Sequence, residues 1–421
     1  MDVVVERCAG LDVHKDTVVA AVRLPDGDGG RSTEVRTFGT FTGELLELSD
    51  WLTERRVTLV GMESTGVYWK PVYYVLEDEM ECWVVNAQHM RNVPGHKTDV
   101  KDAEWIAQLI EHGLVRPSFV PPPPIRKLRS LTRYRKTQIE ERTREVQRID
   151  KQLQDAGVKL SSVASDLLGK SGRDMLDALV AGERDPQVLA ELARRRLRVK
   201  IPQLEQALAG RFAEEHALVL GEILAHIDFL DASIARITEQ IEAAISPFAT
   251  ERELLMTIPG VDRRVADAII AEIGVDMTVF ETSQRLASWA GMCPGQHESA
   301  GKSRSGRSRH GDTWLQRHLA VAAMAAARQK NTYLAAQYAR LVRRRGKLKA
   351  RKAVGHSILV ACFYILAGGV PYQELGADYF QRLNSPQRRA ARHLNDLRDL
   401  GWQITQTDDG VICFPPKEAA A

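Results

Sequence analysis

Three strand-like segments in immediate succession, followed by alternating helix and strand, constrain this chain more than any other feature. Cys8–His14 and Thr17–Leu24 are apolar and rich in β-branched residues, with Lys15-Asp16 as the turn between them. Pro25 to Gly30 is a turn signal, and Glu34–Phe41 is a third strand. Glu44–Arg56 then places Leu45, Leu48 and Leu52 at helical spacing. Thr58–Glu63 reads as a buried strand ending on an acid, Tyr68–Met80 as a helix and Glu81–Asn86 as a fifth strand. Lys97–Ile106 closes the series as a helix with Thr98 able to cap it and Val100, Ala103 and Ile106 as its apolar stripe. On that helix Asp99 and Asp102 stand three residues apart, so both carboxylates share a face.

This order of elements is that of the ribonuclease-H-like fold. In it the first and fourth strands are neighbours and the last helix lies against them. Asp12 falls in the first strand and Glu63 at the end of the fourth, so Asp12, Glu63, Asp99 and Asp102 are expected to converge. Like charges held together are costly unless a cation lies between them. Hard divalent ions such as magnesium take oxygen ligands, and a two-metal site needs about this many carboxylates. Each acid alone reads as surface or structural; their joint placement is what points to a metal. Asp16, Glu104 and His14 are close in sequence but are not counted among the expected site residues.

The formal net charge of +3 conceals a polarity. Residues 1–115 carry twenty acids against eleven Lys and Arg, whereas residues 301–352 carry fifteen Lys and Arg against Asp312 alone. An acidic metal-binding part joined to a polyanion-binding part is the reading. Cys8, Cys82, Cys293, Cys362 and Cys413 are scattered without zinc-type spacing, which suits reduced thiols in a cytoplasmic protein. Charges interrupt Met1–Arg7 too early for a signal peptide, and the apolar run Ile358–Val370 is too short to span a bilayer, so a buried helix and no membrane are expected.

The composition divides the chain into 1–120, 121–248, 249–370 and 371–421. Pro121–Pro124 cannot continue a helix and marks the exit from the first part. Ile125–Asp155 carries a thin apolar seam, and from Phe212 a cleaner one runs through Leu220, Ile223, Ile227, Leu230, Ile234, Ile237 and Ile241. That is coiled-coil spacing, suited equally to a hairpin within the chain or to pairing between protomers. Between them, Asp185-Pro186 restarts a helix through Arg194–Arg196. After Pro247, Leu254–Val261 leads through Pro259-Gly260 into Val265–Gly274, resembling a helix-hairpin-helix element whose amides hold phosphate. Glu298–Asp312 is a flexible, basic, serine-rich loop ahead of a helix. Its hydroxyls and cations either coat phosphates or include a serine that attacks a phosphodiester, with Lys302, Arg304 and Arg307 stabilising the developing charge. Chemistry alone does not choose among Ser299, Ser303, Ser305 and Ser308. The tail beyond residue 371 has a basic helix at Arg388, Arg389 and Arg392, then a hairpin of Gln403–Thr407 with Val411–Phe414.

Gly10-Leu11-Asp12-Val13-His14-Lys15, Gly61–Trp69 and Lys97–Ala103 resemble the three blocks of the DEDD transposases of bacterial insertion sequences, relatives of the pilin-gene invertases. Ile258–Val261, Ala290–Pro294 and Gly306–Leu319 are similar to that family's second domain. The resemblance spans about residues 8–320, in family order. It implies an α/β RuvC-like domain, central coiled-coil helices and a mostly helical C-terminal transposase domain. It implies that Asp12, Glu63, Asp99 and Asp102 bind magnesium, or manganese in its place. It also implies a serine that becomes joined to a DNA end. That serine matches Ser299 in Glu298-Ser299-Ala300-Gly301, with Ser303 and Ser305 behind it. Glu298 where Gln is usual, the added Ala300 and Asp312 in place of Asn depart from the family pattern. Lys302, Arg304, Arg307, Arg309 and Arg317 are the expected nucleic-acid contacts. Implied partners are donor and target DNA, an element-encoded guide RNA that pairs with both (a bridge RNA), and further copies of the chain, as a dimer or, in the synaptic complex, a tetramer. Such a protein would act in the bacterial cytoplasm, on the nucleoid. The competing readings are a RuvC-like magnesium-dependent endonuclease acting on branched DNA and a non-catalytic nucleic-acid-binding protein.

Overall fold

The structure, a computed structural model, describes residues 2–26, 30–64, 66–86, 102–294, 298–299, 302–303, 308, 310–383, 386–407 and 410–415. The chain divides into two compact units, Met1–Val120 and Pro121–Ala421.

In the first unit, β1 (Cys8–Val13), β2 (Thr17–Pro25), β3 (Arg31–Gly39), β4 (Leu59–Glu63) and β5 (Glu81–Val85) form one mixed sheet in the order β3-β2-β1-β4-β5. The first three strands are an antiparallel meander, while β4 runs parallel to β1 and β5 parallel to β4. The third strand begins at Arg31, three residues before the sequence suggests, because the ladder with β2 continues to Pro25↔Arg31. Helices α1 (Thr42–Glu54), α2 (Trp69–Leu76) and α3 (Asp102–Glu111) complete the unit. α2 is shorter than the expected Tyr68–Met80, and the chain turns through residues 77–79 into β5. The part of the expected closing helix before Asp102 lies outside the described residues.

Strand alternation assigns each helix to a face. Leu11, Val13, Val60 and Met62 pack with Leu48 and Leu52 of α1 and with Val72 and Leu76 of α2. Cys8 and Leu59, on the opposite face, pack with Ile106, Leu109 and Ile110 of α3. Each such aliphatic side chain contributes about 1.5–3 kcal/mol on full burial. Gly10 and Gly61 occupy the α3 face, and their lack of a side chain sets how near the helix comes. A Cβ on Gly10 would meet the Ala103 carbonyl oxygen at 2.1 Å and the Ala107 nitrogen at 2.4 Å. A Cβ on Gly61 would strike the Ile110 side chain. Gly10→Ala should therefore cost about 1–3 kcal/mol, as overpacking does, and lower the thermal midpoint of the first unit's transition in calorimetry. An unchanged midpoint would mean that α3 can lift from the sheet freely.

The far end of α3 is tied down electrostatically. Glu111, wholly buried, accepts from Arg23 Nε at 2.7 Å and Arg31 Nε at 2.5 Å, both from the meander. A buried carboxylate is tolerable only with such partners.

The second unit opens with α4 (Pro123–Asp155), and the tetraproline stretch begins this helix as well as ending what precedes it. A proline in the first turn loses no intrahelical hydrogen bond, since that N–H has no partner there. Four short helices follow: α5 (Leu160–Val163), α6 (Lys170–Val180), α7 (Pro186–Glu191) and α8 (Ile201–Leu208). The basic triplet lies beyond the end of α7, with Arg195–Lys200 forming a 3₁₀ turn. α9 (Glu214–Ile245) then returns along α4, so the two long helices form a hairpin within the chain. Leu220, Ile227 and Leu230 face inward as the spacing suggests, but Leu224 takes the buried place expected of Ile223, which is half-buried; further on, Ser233 takes the inward position and Ile234 and Ile237 are half-buried. Arg142 grips Asp231 with two nitrogens, at 2.5 and 3.0 Å. The short helices build a separate core at the hairpin tip around Leu153, Met175, Leu176, Leu204 and Leu208.

Beyond a 3₁₀ turn at Ser246–Phe248, α10 (Ala249–Met256), α11 (Arg263–Ile273) and α12 (Ser283–Trp289) precede the two-residue strands β6 (Glu298–Ser299) and β7 (Lys302–Ser303). α13 (Thr313–Ala326) and α14 (Tyr333–Gly368) follow. The turn before α11 depends on Gly260, at φ +86°, where a Cβ would meet the Ala322 carbonyl oxygen at 2.4 Å. The apolar run Ile358–Val370 is mostly the end of α14, and α14 alone among the described helices is long and apolar enough to cross a bilayer. Its Val354, Ile358, Leu359 and Cys362 are buried inside the unit. α15 (Tyr379–Leu383), α16 (Pro386–Asp399) and the hairpin β8 (Gln403–Thr407) with β9 (Gly410–Phe414) end the chain.

Candidate active site

The acids of the first unit are positioned by strand register. β1 and β4 pair as Gly10↔Gly61 and Leu11↔Met62, so one further step sets Asp12 beside Glu63. Both lie two residues beyond a glycine that faces α3, and therefore on that same face. Ala103, whose carbonyl approaches Gly10, is the second residue of α3, and Asp102 is its first. Asp12, Glu63 and Asp102 are thus brought to the carboxyl ends of two central strands under the start of one helix. Asp99 lies outside the described residues.

The Asp12 side chain is 24% exposed, and its Oδ2 is 3.1 Å from His14 Nε2. His14 is therefore a direct neighbour of the leading carboxylate. Among the described residues, no three His, Cys, Asp or Glu side chains gather closely enough to hold a metal ion. The donor set of Asp12, Glu63 and Asp102 is nonetheless all carboxylate oxygen, the chemistry that hard divalent cations take.

In the second unit the serine-rich segment is less irregular than the sequence suggests. Glu298–Ser299 pairs antiparallel with Lys302–Ser303, with Ser299 opposite Lys302. Ser308 bridges to Pro294, and Lys352 Nζ of α14 donates to Ser308 Oγ at 2.5 Å. Burial holds the Lys352 ammonium below its ordinary pKa. Ser305, Arg304, Arg307 and Arg309 lie outside the described residues. Arg317 is half-exposed on α13, its guanidinium 5.2 Å from the Trp314 ring and 3.3 Å from Glu140.

The segment ends on a fixed anchor. Asp312 caps α13 by accepting from the Leu315 N–H, and a Cβ on Gly311 would meet the Gly291 nitrogen at 2.2 Å. Arg133 of α4 donates to both carboxylate oxygens of Glu272, at 2.8 and 2.7 Å, and to Asp312 at 3.1 Å. Arg129 adds hydrogen bonds to the Ala271 and Glu272 carbonyls. Burial pushes Glu272 up to about 7 against the pull of these guanidiniums. Burial likewise pushes Asp267 up to about 6 and holds His318 down at about 4.

Reading Ile125–Asp155 only as an apolar seam leaves out Arg129 and Arg133. Their spacing of four residues beside the apolar seam was the available signal. Arg133→Met should cost about 3 kcal/mol, because it leaves Glu272 buried with a partner removed, and adding Glu272→Leu should recover much of the loss. Denaturant titration of both variants checks this; equal stability of Arg133→Met and wild type would show the pair to be dispensable.

A model of DEDD-type transposases, described simply as Transposase, matches residues 9–157. A second, described as Transposase IS116/IS110/IS902 family, matches residues 252–339. No curated protein matches the sequence. The first match contains the β1, β4 and α3 acids, the second contains the serine segment and its anchor, and together they cover more than half of the chain in one order. The chain belongs to the DEDD transposases of the IS110 type, enzymes that carry out DNA strand transfer.

Proposed function

We propose that the protein is the transposase of an insertion sequence and recombines DNA through a RuvC-like carboxylate site and a serine nucleophile. The observation that carries the acid half is the register: β1 and β4 are parallel neighbours, so Asp12 and Glu63 share the face on which α3 and Asp102 lie. The sheet order supports a ribonuclease-H-like reading of this unit. Asp12, Glu63, Asp99 and Asp102 would hold magnesium or manganese, which when bound supplies Lewis-acid polarisation of the scissile phosphate.

Support for Ser299 comes from its match to the family's serine position, and from a hairpin that fixes its backbone opposite Lys302. Its Oγ attacks phosphorus, the P–O3′ bond breaks, and the leaving 3′ oxygen takes a proton. The 5′ phosphate remains esterified to serine. A 3′-hydroxyl from the partner strand then attacks that ester and releases the serine, so phosphodiester energy is conserved. Lys302, Arg304, Arg307, Arg309 and Arg317 would hold the substrate phosphates. The partners are donor and target DNA, an element-encoded guide RNA and further copies of the chain, in a bacterial cytoplasm. The parts 121–248, 249–370 and 371–421 act respectively as assembly arm, serine domain and basic tail.

The test is to incubate protein, magnesium, co-expressed flanking RNA and donor DNA, denature, and map DNA-linked peptides by mass spectrometry. A nucleotide adduct on Ser299 is expected. Cut DNA with no adduct would replace this reading with hydrolysis.

A further inference from the structure

The stretch Arg343–Lys349 of α14, exposed at each residue, has no part in the sites described above, and it lies beyond the residues that match the second family model. It holds Arg343, Arg344, Arg345, Lys347 and Lys349, with Arg351 just past it. Among the described residues, none of these six cations has a carboxylate at ion-pair distance. Neighbouring Arg340, by contrast, is engaged, its guanidinium 4.8 Å from the Phe380 ring. A run of unpaired cations is self-repelling, and a helix that keeps one does so at a cost.

The stretch is also bent. Gly346 stands at φ +77° and ψ 167°, outside helical geometry, and joins two helical halves. Nothing would touch a Cβ there, so packing does not demand the glycine. The conformation demands it, since only glycine adopts this region readily. The elbow stands beside the serine segment: Lys352, three residues past Lys349, holds Ser308 Oγ at 2.5 Å.

We propose that the elbow Arg343–Lys349 is a docking surface for the backbone of duplex DNA flanking the phosphate that the serine segment attacks. The choice of DNA rests on the function proposed above, because the nearby chemistry acts on DNA. Duplex is favoured over single strand because the stretch has no aromatic side chain on which bases could stack. The seven residues, six helical with Gly346 as the bend between them, span about 10 Å, a length over which a duplex presents about six phosphates. Five cations in that span match it.

The test measures binding of the full chain, carrying Ser299→Ala, to a blunt duplex of about 30 base pairs by fluorescence anisotropy in EDTA, from about 50 to 300 mM KCl. Arg343→Gln/Arg344→Gln/Arg345→Gln/Lys347→Gln should flatten the log–log salt slope by about 3–4 and weaken binding about a hundredfold or more near 100 mM salt. Arg195→Gln/Arg196→Gln at the hairpin tip should leave the slope within about 1 of its starting value. Gly346→Ala keeps every charge and should weaken binding about tenfold at unchanged slope, by disturbing the bend. A fourfold variant whose slope stays within about 1 of its parent would overturn the proposal. So would a loss confined to an RNA hairpin, while binding by Gly346→Ala equal to its parent would overturn the role of the bend. Because no strand is cut in EDTA, this result is independent of the Ser299 adduct, and either can fail while the other holds.

Discussion

Alanine at position 299 should leave no DNA end joined to the protein and lower strand exchange by about 10⁴–10⁶-fold, the range seen when a covalent nucleophile is removed. The size of the loss follows from the chemistry. In the serine route the ester stores the energy of the broken phosphodiester, and without it the joining step has nothing to attack. Fold and binding should be unaffected, because the β6–β7 pairing uses only the backbone of Ser299. The measurement is strand exchange between labelled donor and target duplexes, run beside a denaturing gel that retains protein–DNA adducts. Unchanged cutting by Ser299→Ala, with joining lost, would identify water as the nucleophile and the protein as a RuvC-like hydrolase. Full activity would pass the role to Ser303, Ser305 or Ser308, each of which the same gel can test.

Asp12→Asn should lower DNA cleavage by about 10³-fold or more, because the carboxylate's share in stabilising charge at the phosphate amounts to several kcal/mol. The substitution keeps the shape and one oxygen but removes the charge. Asp12 is part-exposed at a strand end, and Asn can still accept from His14, so thermal stability should not move. Asp16→Asn, in the exposed turn after β1, should change activity by no more than about threefold, as for an ordinary surface position. Cleavage followed across magnesium and manganese titrations separates the outcomes. Equal loss at both positions would point to a general charge effect, and retention of cutting by Asp12→Asn would remove the carboxylate site from the mechanism.

Local pattern made the first unit legible. Strand alternation and helical spacing are short-range signals, and they located β1, β2, α1, β4 and β5 with the acids Asp12 and Glu63 on central strands. The register that makes Asp12 and Glu63 neighbours is a long-range property, and it followed only from the order of elements. Termini were less readable, because a helix end depends on what it meets. α2 stops at Leu76, whereas its apolar pattern continues to Met80. The composition of the serine segment suggested contact with phosphates but concealed the segment's restraints. Lys352, Arg129 and Arg133 reach it or its anchor from residues distant in sequence, and no spacing rule connects such pairs.

The long hairpin has a consequence for how such a protein can vary. α4 is 33 residues long, which at 1.5 Å per residue separates its two ends by about 50 Å. One end carries Arg129 and Arg133 and the other joins a tip with its own buried core. Interactions at the tip are therefore insulated from Glu272 and Asp312, and the tip behaves as an exchangeable part. Inherited change can lengthen, shorten or replace residues 156–213 without touching the anchored end. The hairpin tip is thus where members of one lineage can diverge while the anchored end keeps its contacts.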